Sequence, residues 1–245
     1  MNIAVIFAGG VGSRMNSKTL PKQFLEMHGK PIIIHTLERF ENHPEIDAIV
    51  VACLSDWIDH LDKMVKKFNI TKVRKIVPGG ENGQMSIFNG LCAAEEVADG
   101  QESVVLIHDG VRPLITTKLI TDNIRGVREY GSAITCVKVK ETVLMVEEEN
   151  ERHIREIPDR SQSRLARAPQ SFWLSDILKY QRLAISEGKR DFIDSCSLMK
   201  FYGNELYLVD GPEENIKITT PDDFYIMRAI LDAKENAQIY GFQEE

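Results

Sequence analysis

Along the first half of the chain, apolar residues fall into short unbroken runs. Residues 3–8, 46–53 and 103–108 hold almost no polar side chain, and 73–77 form a shorter run of the same kind. Runs this short, without polar alternation, predict strands buried on both faces, as in a parallel sheet. Between them, residues 32–40, 57–68 and 86–97 place their apolar side chains at helical spacing. Pro31 stands just before the first of these, where a helix start tolerates it. Strands alternating with helices in this order predict βαβ units.

The rhythm changes after Gly131. Residues 133–139, 142–146 and 153–157 predict short strands, and the acidic stretch at 147–150 reads as a solvated turn rather than a metal site. A β-arm at about 138–165 is therefore expected to leave the main body. Helical patterns return at 174–187 and 195–202, a strand is expected at 206–209, and 221–236 predicts a closing helix. No repeat, low-complexity tract or evident linker interrupts the pattern. The expectation is a single α/β domain over 1–245 with a mostly parallel sheet, flanking helices and the protruding arm.

Composition narrows the function. Hydrophobic residues make up 43% and charged residues 27%, an ordinary globular balance. A net charge of -7 argues against nonspecific nucleic-acid binding, so an anionic substrate needs a local basic cluster. No run approaches the roughly 20 apolar residues of a membrane span. Cys53, Cys92, Cys136 and Cys196 show no close pairing and sit in apolar stretches, so buried free thiols in a reducing compartment are expected. The opening MNIAVIFAGG lacks the features of a secretion signal, and a cytoplasmic protein is expected.

Directly after the first run comes Phe7-Ala8-Gly9-Gly10-Val11-Gly12-Ser13-Arg14-Met15. Glycines at the carboxyl end of a strand let backbone N–H groups turn towards an anion, and ligands bind at this edge of open α/β sheets. A mere tight turn is the plainer reading. Two motifs fail on the letters. A dinucleotide fingerprint needs a third glycine where Met15 stands, which counts against a nicotinamide-dependent oxidoreductase. A Walker A loop needs Gly-Lys-Ser/Thr, whereas Gly12 is followed by Ser13-Arg14. What remains is a loop with its own arginine and, in Pro21-Lys22-Gln23, a nearby lysine. Attack on a nucleotide α-phosphate builds charge on the phosphate oxygens and on the leaving pyrophosphate. Positioned cations and Mg²⁺ stabilise that charge most in the transition state. Arg14 and Lys22 suit this role; Lys18 reads as a solvated loop charge.

Asp109 follows the fourth buried run and lies at the same edge. Its carboxylate suits either a Mg²⁺ shared with phosphate oxygens or a substrate, or it caps the following turn. Arg112 is either a substrate contact or an ion-pair partner of Asp109. His108 reads as a packed histidine, because an already anionic phosphate nucleophile needs no general base. Ser86 is either a donor in a pocket at a helix N-terminus or a plain N-cap.

The run AGGVGSRM, followed by LPKQFLEMHGKPIIIHTLERF, resembles the opening of a cytidylyltransferase family. That family makes CDP-methylerythritol for isoprenoid synthesis and CDP-ribitol for cell-envelope polymers. The resemblance continues in order through Pro78-Gly79-Gly80 with Ser86, Ile107-His108-Asp109-Gly110-Val111-Arg112-Pro113, and Asp159-Arg160. It runs on through Ala168-Pro169-Gln170-Ser171-Phe172 to Asn215-Ile216-Lys217-Ile218-Thr219-Thr220-Pro221. It implies a Rossmann-like core, a homodimer built through the β-arm, and transfer of CMP from CTP with Mg²⁺. Phe7, Ala8, Gly9, Gly10 and Gly12 are then expected around the nucleotide, with Gly80, Glu81, Asn82, Gly83 and Ser86 forming the cytosine and ribose pocket. Arg14 and Lys22 match the transition-state stabilisers, Arg160 and Lys217 the residues that aim the acceptor phosphate. Asp109, Arg112 and Thr142 complete the expected substrate contacts, with Asp109 also the metal ligand. Arg160, being in the arm, is expected to serve a site completed by the second subunit.

Three positions depart from the methylerythritol-type pattern. Gly83 stands where an arginine is usual, Arg167-Ala168-Pro169-Gln170 replaces QTPQ, and Ile193 replaces the threonine before Asp194. Two of these belong to the family's acceptor pocket, where a lost hydroxyl removes a hydrogen bond to substrate. They count against 2-C-methyl-D-erythritol 4-phosphate, while the AGG opening and the VRP and PQSF blocks lean towards the branch that uses D-ribitol 5-phosphate; methylerythritol phosphate or another sugar phosphate is the alternative acceptor. A catalytically silent nucleotide-binding protein is the reading from another class.

Overall fold

A computed structural model describes residues 1–9 and 20–240, with side chains up to 236. The expected loop contacts Gly10, Gly12 and Arg14 lie outside the described residues. The chain begins with β1 (Asn2–Ala8) and a small hairpin, β2 (Glu26–Met27) and β3 (Lys30–Pro31), which leads into α1 (Ile32–Glu41). There follow β4 (Ala48–Cys53), α2 (Ile58–Lys67), β5 (Val73–Pro78), α3 (Gly83–Ala98), β6 (Val104–Asp109), α4 (Thr117–Tyr130) and β7 (Ser132–Lys138). The rest is β8 (Met145–Val146), β9 (Ile154–Glu156), β10 (Arg164–Trp173), α5 (Leu174–Ser186), α6 (Ser195–Phe201), β11 (Leu208–Asp210) and α7 (Pro221–Tyr240).

Seven strands form one sheet in the order β11-β7-β10-β6-β1-β4-β5. All pairings within it are parallel except those of β10, which runs antiparallel to both β6 and β7. The unbroken apolar runs are explained by two cores, one on each face. In β1, Ala4, Ile6 and Ala8 pack into the layer with Leu37, Phe40 and Leu61, while Ile3 and Val5 pack with Leu91, Ile177 and Leu198. A third apolar cluster of Met27, Ile32, Val111, Leu114, Ile218 and Met227 seats α7 beside the β2–β3 hairpin.

From β1 the chain winds outward through β4 and β5, then returns to lay β6 on the other side of β1. That reversal makes a crevice at the carboxyl ends of β1 and β6, the place where doubly wound sheets hold ligands. Phe7 and Asp109 are register partners at this crevice.

Two elements correct the reading from hydropathy. Thr117–Tyr130 is α4, to which no element was assigned, although Leu119, Ile120, Ile124 and Val127 are buried at helical spacing. Arg164–Trp173 is a ten-residue strand rather than an isolated motif. Its outer half is exposed and it carries Pro169, a residue that argues against a central strand. The ladder with β7 is interrupted between Ala166 and Gln170, which is where that proline fits. In the expected arm, β8 and β9 pair as an exposed two-stranded sheet shorter than the runs 142–146 and 153–157. Of the four cysteines, all free, Cys53 and Cys136 are buried but Cys92 and Cys196 are only partly so.

Candidate active site

The glycine side of the crevice is closed by backbone packed on backbone. A β-carbon on Gly9 would stand 2.8 Å from the Ser86 hydroxyl oxygen, and one on Gly79 would stand 3.4 Å from the Gly9 α-carbon. Gly80 leaves no room either, since an added β-carbon would meet the Met85 backbone at 2.7 Å. Ser86 fixes the arrangement. Its hydroxyl donates to the Asn82 carbonyl at 2.8 Å and accepts from the Gly80 N–H at 3.0 Å.

Ser86 is therefore not an N-cap. Asn82 caps α3, accepting from the Met85 N–H at 3.0 Å, and the helix starts three residues before the expected 86. The apolar pattern begins late because the first turn, Gly83-Gln84-Met85, is mostly polar or small. Glu81 is exposed, and Gly83 lines the pocket with open space around its α-carbon.

The opposite side of the crevice is charged. Asp109 is buried at the end of β6, with Oδ2 3.1 Å from Arg112 Nε and Oδ1 2.5 Å from Lys217 Nζ. Burial pushes its carboxyl pKa up, but the two cations outweigh it and hold the group below the usual carboxylate range. Arg112 also donates to the Asn215 carbonyl at 2.8 Å, so it is both pocket lining and the ion-pair partner of Asp109. Lys217 lies over the Phe7 ring at 5.7 Å, closing the gap between β1 and the loop before α7. That loop separates Lys217 from β11. Behind the pair, His108 is fully buried and hydrogen-bonded at Nε2 to the Arg112 carbonyl at 3.0 Å. Burial lowers its pKa to about 4.

Lys22 joins this group from the other flank. It opens a short 3-10 turn, Lys22–Phe24, tied to the end of β1 by Gln23 Nε2 donating to the Ala8 carbonyl at 2.8 Å. Its ammonium donates at 3.0 Å to the carbonyl of Ile218, the residue that follows Lys217 in the chain. Phe7, Gly83, Asp109, Arg112 and Lys217 share one pocket of about 280 Å³.

Arg160 and Thr142 are not brought there within one chain. Arg160 is exposed, donates to the Lys140 carbonyl at 2.9 Å, and lines a separate hollow with Lys138 and Arg164. Thr142 lines a groove along the outer end of β7. Nor does Asp109 fit a resident metal, since each of its oxygens already faces a cation.

Four polar pocket residues had no assigned role: Arg167, Gln170, Asp194 and Ser195. The first three lie in the blocks that depart from the methylerythritol pattern, which was a usable signal. Ser195 carried none. Gln170 donates to Asp194 Oδ2 at 2.9 Å and accepts from the Cys196 N–H at 2.9 Å, locking the far wall. Ile193, at the pocket mouth, is 90% exposed.

A pocket at the switch point of a doubly wound sheet, lined by cations and opened by a glycine turn, fits a nucleotide and a phosphate together. The family model described as 2-C-methyl-D-erythritol 4-phosphate cytidylyltransferase matches residues 2–233. The chain belongs to this cytidylyltransferase family. A relative from Streptococcus agalactiae serotype III, named ribitol-5-phosphate cytidylyltransferase, is 60% identical over 98% of this chain and 100% of its own length. One from Clostridium botulinum, named 2-C-methyl-D-erythritol 4-phosphate cytidylyltransferase, is 38% identical over 94% of this chain and 97% of its own. Among solved structures, 4-diphosphocytidyl-2C-methyl-D-erythritol synthase from Anaerococcus prevotii superposes with a TM-score of 0.81 at 27% identity, covering 95% of this chain and 96% of that one. The cytidylyltransferase core is thus the α/β sheet described above, and the enzyme is a nucleotidyltransferase. Among the described residues, no helix is long and apolar enough to cross a membrane.

Proposed function

We propose that this cytidylyltransferase transfers CMP from CTP to D-ribitol 5-phosphate, giving CDP-ribitol and pyrophosphate. The observation that carries the reading is the cation cluster: Arg112 and Lys217 hold the buried carboxylate of Asp109, and Lys22 reaches the same edge through the Ile218 carbonyl, in a chain whose net charge is -7. That excess of positive charge suits an anionic acceptor held against an anionic nucleotide. The acceptor follows from the greater likeness to the ribitol-5-phosphate relative, 60% against 38% for the methylerythritol one.

In this reading an acceptor phosphate oxygen attacks the α-phosphorus of CTP in line. The bond from that phosphorus to the bridging oxygen breaks, and pyrophosphate leaves with the electron pair. Lys217 holds the attacking phosphate. Lys22, with Arg14 from the glycine loop, meets the charge that grows on the α- and β-phosphates. Asp109 keeps Arg112 and Lys217 in position rather than taking a proton. Mg²⁺ enters as the counter-ion of the triphosphate, hence as part of the substrate.

We further infer a homodimer through the segment 139–163, which supports the reading by exposing Leu144, Met145, Val146, Ile154 and Ile157. Arg160 and Thr142 would then act in the partner's site, in a cytoplasmic enzyme. The test is pyrophosphate release from CTP and Mg²⁺ with ribitol 5-phosphate or 2-C-methyl-D-erythritol 4-phosphate as acceptor. Release with the first, falling ~10²-fold in Lys22→Ala, is the expected result. Release only with the second would move the enzyme to the other branch, and silence with both would end the assignment.

A further inference from the structure

The interruption of β10 between Ala166 and Gln170 puts Arg167 into the pocket wall instead of the strand ladder. Arg167 and Arg112 converge on one oxygen, the Asn215 carbonyl, at 3.1 Å and 2.8 Å. The two differ in what they have left. Arg112 is also committed to Asp109, whereas Arg167 uses one of its five N–H donors among the described residues. Ser195 lines the same pocket. It is 1% exposed, and its hydroxyl has no hydrogen-bond partner among the described residues.

A buried hydroxyl without a partner lowers the stability of the free protein, and such groups call for an explanation. One that lines a pocket finds its partner when a ligand arrives. The neighbouring polar groups bond one another instead. Gln170 and Asp194 bond each other, and Asp194 Oδ1 accepts from the Ser197 N–H at 2.8 Å. Ala168 and Ile193 add apolar surface. The wall thus offers a guanidinium with spare donors and a hydroxyl that both donates and accepts. Spare donors beside an amphoteric hydroxyl match the alternating hydroxyls of an unbranched polyol chain.

Resting on the acceptor reading above, we propose that Arg167 and Ser195 form the subsite that reads the acceptor's hydroxyls and so determine its specificity. They act on the chain of the substrate, not on its phosphate or on the nucleotide. Loss of one such contact raises KM for the acceptor by about three- to tenfold for a neutral group, and more for a charged one.

The experiment compares the wild-type enzyme with Arg167→Leu, Arg167→Lys and Ser195→Ala. It measures KM for ribitol 5-phosphate, KM for CTP, and inhibition by pentyl phosphate, which has the same chain length without the hydroxyls. The expected result is an acceptor KM raised by more than about tenfold in Arg167→Leu, and by about three- to tenfold in Arg167→Lys and Ser195→Ala. KM for CTP and inhibition by pentyl phosphate stay within about twofold of wild type, the margin expected where no contact is lost. The free Ser195→Ala enzyme should melt at or above the wild-type temperature, a result no structural role for the hydroxyl would give. A raised KM for CTP, an equal loss of pentyl phosphate inhibition, or an unchanged acceptor KM would each overturn the subsite. Should Arg167→Leu fail to fold, Arg167→Lys and Ser195→Ala decide alone. Wild-type enzyme silent with ribitol 5-phosphate would instead refute the acceptor reading, and the subsite with it. An active wild type with unaffected variants refutes the subsite only.

Discussion

The two walls of the crevice are built on different physics. Around Gly9, Gly79, Gly80 and Ser86, neutral backbone is packed so tightly that single atoms do not fit. Around Asp109, a buried carboxylate and the two cations Arg112 and Lys217 hold one another in place. The first wall should tolerate changes of charge or pH but not of volume. The second should tolerate changes of volume but not of charge. A ligand with a flat, neutral base at one end and phosphates at the other would match such a division.

The largest effect is expected at the charged wall. Asp109→Asn keeps the shape and removes the charge that holds Arg112 and Lys217. Removing one partner of a buried pair costs about 3–5 kcal/mol, and the lower figure applies here because the Lys217 side chain is 39% exposed. Turnover should fall by ~10² or more as the cations lose their positions. Thermal melting and pyrophosphate release measure the two losses separately. A variant with wild-type stability and rate would mean that Asp109 does not organise this wall.

How far this division could be read from the letters differs between the walls. The glycines and Asp109 announced themselves by following apolar runs, because the carboxyl end of a buried strand is a site set by topology. Lys22 was read from its place just beyond the glycine loop and Lys217 from a family resemblance, and the structure brings them to one edge through Ile218. What was not legible depends on long-range pairing. β10 is a strand only because β6 and β7 flank it, and its Pro169 and polar outer half gave no periodic signal. The role of Ser195 was invisible for the same reason: nothing local says that its hydroxyl will be left without a partner in a pocket. The start of α3 was misread by one helical turn, and the capping alternative for Ser86 falls with it, since a serine before an apolar run looks like a cap whether or not Asn82 has already taken that place.

The next effect is on pH. His108 Nε2 faces a carbonyl and its Nδ1 has no partner among the described residues, so a second proton there would be a buried, unpaired charge beside Arg112 and Lys217. Its folded pKa lies near 4 against 6.5 when unfolded, so the unfolded chain binds more protons between those values. Stability is then complete above about pH 6.5 and falls as pH drops towards 4, by about 3 kcal/mol for this residue. His35 and His43, also lowered by burial, add to the same slope. Asp109 acts lower down: its depressed pKa gives stability that is present above the ordinary carboxylate value and lost below it. Urea titrations from pH 7 to 4 should show the slope, and His108→Gln should flatten it by the larger share. An unchanged slope would place the pH sensitivity elsewhere than the charged wall.

The smallest effect tests the neutral wall, and it depends on coupling rather than on a single loss. In Gly9→Ala the new methyl meets the Ser86 hydroxyl at 2.8 Å, closer than real β-carbons come. Ser86 cannot swing aside cheaply, because its oxygen is held by the Gly80 N–H and the Asn82 carbonyl. Overpacking of this kind costs about 1–3 kcal/mol, and the shift it forces should raise KM for CTP while leaving the acceptor KM alone. Ser86→Ala by itself strips the Gly80 N–H of its partner, at about 1 kcal/mol. In the double variant the clash is gone, since the next neighbours of the new methyl are the Ser86 β-carbon at 3.5 Å and the Gly79 α-carbon at 3.8 Å, both ordinary contacts. The pair should therefore lose less than the sum of the singles by about 1 kcal/mol or more. Strict additivity would mean that Gly9 is confined by something other than the Ser86 oxygen, and the neutral wall could no longer be described as one packed unit.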